Sequence, residues 1–480
     1  MKSHILLSSP VLFLAFFLQA MSLAHGHYSD QHWYEPREQH VLSAPENARP
    51  MPSLIIDTFQ NPTHNDLGFW HGAGEDLAMQ YQPGSMQLFP TDPDQNYHTQ
   101  FETNGCFSMI PWRNQFLHVE FVGTDQFTVS LNEHNEDCYP HRAPFPGVPD
   151  SIEASRYMMK MGHGSTGHDG DGHEHDEPIR EEHGKKQISK DNGGGDEDDQ
   201  TPAAPPKKEL FIPLSHFLIN QNRVVSVSFS GFYTNRSITL HRVEIVSSVP
   251  PPRKENNYFK IPEKLPTGEL ILRCTRPKSF AFGIDDGSPR FAQEVMRILD
   301  EENVRVTFFA VGAGLRDTTT NLTRFYREML KKGHQVALHS NTHPKMEALP
   351  TIDKIDNEII QAQRTLKEQL GIESSYFRPP FGTVGARMRQ QIAKYIPNAY
   401  IVNWSVDVED WLWADSSTPE KQLDAFYRSV ARGGNLAVMH FLNPTTVGYL
   451  RQFIRHVKGS GFKIMRIDQC MEDPDSPPLS

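Results

Sequence analysis

Residues 279–287 read Ser-Phe-Ala-Phe-Gly-Ile-Asp-Asp-Gly, an apolar run that stops abruptly on two carboxylates and a glycine. A short continuous apolar run of this kind predicts a strand buried on both faces, as in a parallel sheet. A helical stretch follows near 290–303, and the alternation then repeats. RVTFFAVG (305–312) precedes a helix at 321–332, and QVALHS (335–340) precedes one at 351–370. SYFRPPFG (375–382) leads to 384–396, AYIVNWSVD (399–407) to 418–432, NLAVMHF (435–441) to 445–459, and FKIMRI (462–467) closes the series. About seven parallel strands with intervening helices predict a distorted or incomplete (β/α) barrel over 269–472, followed by a short tail at 473–480. In such a barrel the chemistry sits where strands end at their C-terminal edge.

Polar residues collect at those ends. Asp285 and Asp286 end the first strand, His339 and His343 follow the third, and Arg378 ends the fourth. Asp407 and Asp410 end the fifth, and His440 ends the sixth. Either an Asp-Asp-Gly turn or two histidines four apart is common by chance; five polar groups at successive strand ends are not. His339 and His343, spaced i and i+4, are expected to present two imidazoles on one face of a turn of helix. One carboxylate of the neighbouring Asp pair would complete a three-ligand site, and the other would be free to act as a base on water. Two imidazoles and a carboxylate with one open position suit Zn²⁺, and Fe²⁺ or Co²⁺ ligation is compatible with the same set.

Over about 275–470 the sequence resembles the polysaccharide deacetylases of carbohydrate esterase family four, the NodB-homology group that includes chitin deacetylases, peptidoglycan deacetylases and acetylxylan esterases. The motifs appear in the family's order: Gly283-Ile-Asp-Asp-Gly287, His339-Ser-Asn-Thr-His343, Arg378-Pro-Pro-Phe-Gly382, Trp404-Ser-Val-Asp-Val-Glu-Asp-Trp411 and Val438-Met-His440. The resemblance implies that Asp285 is the catalytic base and that Asp286, His339 and His343 hold Zn²⁺, Co²⁺ or another divalent metal. It implies that His440 is the general acid, oriented by Asp410, and that Phe381 supplies a backbone N–H to the oxyanion. By the same resemblance Trp404 and Val438 wall a pocket for the acetyl methyl. Arg378 would then fix Asp285 and keep it ionised. For Trp411, core packing and sugar stacking are equally open. Three positions depart from the family's pattern: Gly283-Ile284 stands for Thr-Phe, Phe381 for Tyr, and Phe441 for the Asp that usually follows the motif-five histidine. The implied activity is hydrolysis of N-acetyl groups on chitin or a related N-acetylglucosamine polymer. O-deacetylation of acetylated xylan and non-catalytic glycan binding are the alternatives.

Working outward, Leu54 to Val249 reads as short strands broken by Gly, Pro, Asn and Asp, for example LHVEFVG (117–123), VVSVSFSGF (224–232) and SITLHRVEIV (237–246). Helical periodicity is nearly absent, which predicts an antiparallel β-sandwich or jelly roll. The pattern over 54–249 resembles galactose-binding-like modules, which implies a carbohydrate-binding domain. Its Asp/Asn-rich stretches at Asn65–Trp70 and Thr91–Asp94 read equally as sites for Ca²⁺ or sugar hydroxyls and as ordinary turns. A His/Asp-rich insertion at 162–206 interrupts it, with twelve acids against four bases within 165–200. A solvated, disordered loop is the favoured reading there, and metal scavenging the other. A proline-rich linker spans 250–268.

Lys2 and the apolar run VLFLAFFL (11–18), followed by Ala24-His-Gly26, predict a signal peptide over 1–26, with a flexible segment at 27–53. The chain is therefore expected to be secreted, in the extracellular space or cell wall, with no membrane span. Four cysteines fit an oxidising compartment. Of three pairings, Cys106–Cys138 with Cys274–Cys470 keeps each bridge inside one domain, if there are two. Closing a loop of roughly 200 residues is worth about 5 kcal/mol in the chain-entropy model. Asn235-Arg-Ser and Asn321-Leu-Thr are glycosylation acceptors by pattern, whereas Asn403-Trp-Ser lies inside an apolar strand and is expected to go unused. A net charge of −12 over 480 residues argues against a nucleic-acid partner. The expected partner is an acetylated polysaccharide or oligosaccharide; oligomeric state is not legible.

Overall fold

A computed structural model describes residues 51–159, 206–250 and 260–479, apart from residues 75 and 103. The expected signal peptide, nearly all of the flexible segment, most of the His/Asp-rich insertion and the middle of the linker lie outside the described residues.

Two antiparallel sheets form the N-terminal part. One joins Ala78–Gln82, Ser85–Phe89, Ile238–Val246, Phe116–Gly123 and Lys208–Pro213 in that order, with Leu54–Asp57 also paired to Ile238–Val246. The other runs His71–Gly74, Asn96–Gln100, Val224–Ser230, Thr128–Glu133, Ile152–Glu153. Leu117, Val119 and Phe121 from the first sheet and Val129, Leu131, Val227 and Phe229 from the second share one apolar core. This is the expected sandwich. The Cys106–Cys138 disulfide lies within it.

The C-terminal part is a curled, all-parallel sheet wrapped by helices, with nine short strands where about seven were expected. The two extra strands have separate causes. Glu269–Ile271, at the end of the expected linker, pairs with Tyr400–Val402. The single strand expected over 399–407 breaks at Asn403–Ser405 into Tyr400–Val402 and Val406–Asp407. The first piece pairs with Tyr376–Phe377 and the second with Leu436–His440, so this segment turns the sheet back on itself.

Alternation along Ser279–Asp285 sorts its side chains between two cores. Phe280, Phe282 and Ile284 join the core shared with the helices, whereas Ala281 joins the inner one with Phe309, Ala337 and Val402. Gly283 and Asp285 share the face of Ala281, so Asp285 enters the sheet's concave side. The Cys274–Cys470 disulfide joins the two ends of this unit across 196 residues.

The two parts touch closely. Arg389, fully buried on helix Ala386–Tyr395, donates to the carbonyls of Val148 and Pro149 in the sandwich and of Thr267 and Gly268 in the connecting segment. Lys264 and Thr267 both reach Asp150. Within the expected linker, Lys264, Thr267 and Gly268 are therefore docked between the two parts.

Candidate metal centre

Three side chains converge at the C-terminal rim. Asp286 Oδ1 lies 3.4 Å from His339 Nε2 and 3.3 Å from His343 Nε2. The three ligand atoms all fall within 4.8 Å of one another, and among the described residues this is the only such grouping of three. His339 Nδ1 sits 2.7 Å from the carbonyl of Arg378. A carbonyl only accepts, so Nδ1 carries the proton and Nε2 presents its lone pair to the centre. Burial, and then neighbouring His339, hold the His343 imidazole below its ordinary range and favour its neutral, ligating form. Burial opposes ionisation of Asp286, but the hydrogen bond from His339 and the charges of His339, His343 and His440 in their protonated forms outweigh it and hold the carboxyl down to about 2.

The His339–His343 segment is not the turn of helix that its spacing suggested. Ser340 and His343 adopt left-handed backbone, with φ of 58° and 63°, and no helix forms over these residues. Buried Glu358 replaces the helix as organiser. Its carboxylate accepts from the amides of Asn341 (2.9 Å) and Thr342 (2.7 Å), and the Ser340 hydroxyl accepts from the His343 amide. Asp286 is left-handed as well (φ 63°), and the buried Tyr326 hydroxyl donates to its carbonyl at 2.6 Å. Strained backbone concentrated in one place is the mark of a site held against local preference. Neither Glu358 nor Tyr326 stood out in the sequence, because each lies on a helix among ordinary core and surface positions.

Asp285 faces the cluster from the strand end. Its Oδ1 takes a 2.7 Å bond from Arg378 Nη1, and its Oδ2 stands 3.9 Å from His339 Nε2. Arg378 is fully buried, spans the barrel interior over the rings of Phe309 and Trp404, and also donates to the carbonyl of Val402. A neutral residue could not replace it without leaving Asp285 buried and unpaired.

Register brings in the fourth group. Asp285 pairs with His440, and Gly283 with Val438, on adjacent parallel strands. Asp410 accepts from the His440 amide at 2.7 Å and lies 2.9 Å from its Nδ1, which leaves Nε2 facing away from Asp410. Burial alone would lower the His440 pKa. The charge and hydrogen bond of Asp410, with Asp285 and Asp286 behind, reverse this and raise it to about 10. Asp407, singled out in the sequence without a role, is pushed up to about 6 by burial.

Phe381 sits in a left-handed turn (φ 60°) with its ring 4.9 Å from that of His343 and 58% exposed. A Cβ at Gly382 would stand 2.5 Å from the Trp404 ring, so glycine is needed for the turn to lie against that indole. Val438 is buried beside Gly283. Trp411 is 54% exposed, which excludes core packing. Phe441, where the family usually has Asp, is fully buried against Phe308 and Phe325 and makes no approach to solvent. Asn403 spends its side-chain amide on the carbonyl of Gly382.

Residues 272–397 match the family model for polysaccharide deacetylase. The chain carries a polysaccharide deacetylase domain. The peptidoglycan-N-acetylglucosamine deacetylase PgdA of Listeria monocytogenes is 27% identical over 253 residues, 52% of this chain and 50% of the relative. A chitin deacetylase of Pestalotiopsis is 27% identical over 213 residues, 44% of this chain and 69% of the relative. The solved chitin deacetylase of Colletotrichum lindemuthianum superposes with a TM-score of 0.40 at 22% identity, covering 44% of this chain and 95% of that one. The chain spans about half the length of the first of these curated relatives. The two sheets of the sandwich lie outside the residues 272–397 matched by the family model.

Proposed function

We propose that this chain is a secreted, divalent-metal-dependent deacetylase that removes N-acetyl groups from a chitin-like polymer of N-acetylglucosamine. The observation that carries the reading is the convergence of Asp286, His339 and His343 beside an Asp285 paired with the buried Arg378. The donor set fits a zinc-type ion: two imidazole nitrogens, one with its tautomer fixed, and one carboxylate. His343 and Asp286 keep 27% and 18% side-chain exposure, so water and substrate can reach them. When bound, such an ion polarises the amide carbonyl and acidifies water.

The chain's own groups supply the rest. Asp285 Oδ2 accepts the proton of the attacking water, since Oδ1 is committed to Arg378. The N–H of Phe381 donates to the developing oxyanion, a kind of contact worth about 3–4 kcal/mol. An amine leaves badly as an anion, so His440 Nε2 delivers a proton to the departing nitrogen. Asp410 keeps that imidazole charged and aimed. Trp404 and Val438 enclose the acetyl methyl. The two disulfides support an oxidising compartment, and no helix among the described residues is long and apolar enough to cross a membrane.

The test is acetate release from chitooligosaccharides and acetylxylan, before and after chelation and Zn²⁺ or Co²⁺ add-back. Asp285→Asn and His339→Ala are expected to abolish release while the protein stays folded. Near wild-type turnover in either variant refutes the role given to that residue, and chitin binding with no release under any metal would mean a binding protein instead.

A further inference from the structure

We propose that Asp92 and Asp94 of the sandwich are positioning residues for the deacetylase site. They clamp, across the domain boundary, the turn that carries Phe381. This rests on the role proposed above for the Phe381 N–H. The loop at 91–94 serves neither as a free turn nor as an open acidic pocket. Both Asp92 oxygens lie within 2.8 Å of Lys345 Nζ, and Asp94 Oδ2 lies 2.6 Å from it. Asp94 Oδ1 also accepts from the Thr383 hydroxyl. Lys345 is two residues beyond His343, and Thr383 is two residues beyond Phe381. One sandwich loop therefore ties together the two barrel loops that flank the cluster. The Lys345 ammonium also stands 5.5 Å from the centre of the Phe381 ring.

The loop is built to hold its shape. Gln95 Oε1 accepts from the amides of Thr91 and Asp92, Asp92 Oδ1 accepts from the Asp94 amide, and the carbonyl of Pro93 accepts from the Gly231 amide. A second strut runs parallel, since Thr128 Oγ1 of the sandwich accepts from the Ala386 amide at the start of the next helix. The Phe381 turn is held on the barrel side by the Trp404 indole beside Gly382 and by backbone bonds from Gly382 to Pro379 and from Thr383 to Pro380. It is left-handed at a bulky residue, its ring is exposed, and its side-chain anchors are Asn403 on the Gly382 carbonyl and Asp94 on Thr383. Strained backbone of this kind persists only where the surroundings over-determine it. The ion pairs are partly exposed, so their contribution to global stability is small. What they fix is local position. The His343 loop, by contrast, has its own hold in Glu358 and Ser340, so the clamp acts chiefly on the Phe381 turn.

The test uses the full chain with Asp94→Ala, Asp94→Asn and Thr383→Val. Asp94→Ala is expected to lower kcat about tenfold with KM within about twofold, and to shift Tm by less than about 2 °C. Asp94→Asn keeps an oxygen for the Thr383 hydroxyl and should return kcat to within about threefold of wild type. Thr383→Val cuts the same bond from the barrel side, so combining it with Asp94→Ala should add little. Amide exchange over residues 378–385 should accelerate about tenfold in Asp94→Ala. Unchanged exchange refutes the clamp, and faster exchange with unchanged kcat refutes its role in positioning. Should the wild type release no acetate from any substrate, the proposed function fails, and the exchange comparison alone still decides whether the clamp exists.

Discussion

A Cβ placed at Gly283 would stand 2.4 Å from Arg378 Nη1, well inside contact distance. The residue that departs from the usual Thr of the first motif is therefore what lets this guanidinium cross the barrel interior to Asp285. Gly283→Ala is expected to displace Arg378, loosen its bond to Asp285 and lower kcat/KM by about 10- to 100-fold. Circular dichroism should show the fold retained. A variant with wild-type acetate release would mean that Arg378 has another route to Asp285.

Asp410 sets the protonation of His440, which fixes the sign of a pH effect. The His440 pKa is raised, to about 10, so the imidazolium is present at neutral pH and is lost only as pH climbs through that value. Any stability drawn from this ion pair is likewise full below the unfolded imidazole's pKa and lost as pH rises through the folded one. Asp410→Asn removes the main charge that raises it. The alkaline limb of the kcat/KM profile should move to lower pH, with kcat reduced. An alkaline limb that does not move would show that His440 is not the acid.

Trp411 presents an exposed indole next to Asp410. A sugar ring stacked on it would contribute about 1 kcal/mol. Trp411→Ala is expected to raise KM roughly fivefold, with kcat and Tm nearly unchanged. An unchanged KM would show that no sugar stacks on this indole.

The Cys274–Cys470 bridge spans 196 residues and joins two buried ends of the deacetylase domain. The double serine variant should lose up to about 5 kcal/mol, chiefly through a freer unfolded chain. Chemical denaturation should show a lower midpoint with a steeper slope, because the unfolded chain without the bridge exposes more surface. Metal affinity should hardly change, since neither cysteine touches the cluster.

The order of motifs along the chain, with each polar group placed just after an apolar strand, was enough to select the deacetylase family and nominate its metal triad. Strand alternation and strand-end position are local properties, and the residues report them directly. The amphipathic sandwich strands were legible for the same reason, and so was the cysteine pairing once two units were assumed. What the sequence did not contain was anything that depends on approach between distant segments. The kink at Asn403–Ser405 that splits one strand into two follows from pairing with different neighbours on either side. The left-handed loop at Ser340 and His343 exists because Glu358, seventeen residues on from Asn341, takes up its amides. Phe441, a departure from the family's usual Asp, is a core ring, because Phe308 and Phe325 arrive from other elements to bury it. The clamp from Asp92 and Asp94 to Lys345 and Thr383 closes a gap of more than 250 residues. Local pattern dictates which chemistry is offered and in what order; only the packing of sheet, helices and sandwich sets the distances, and those distances decide which groups act together.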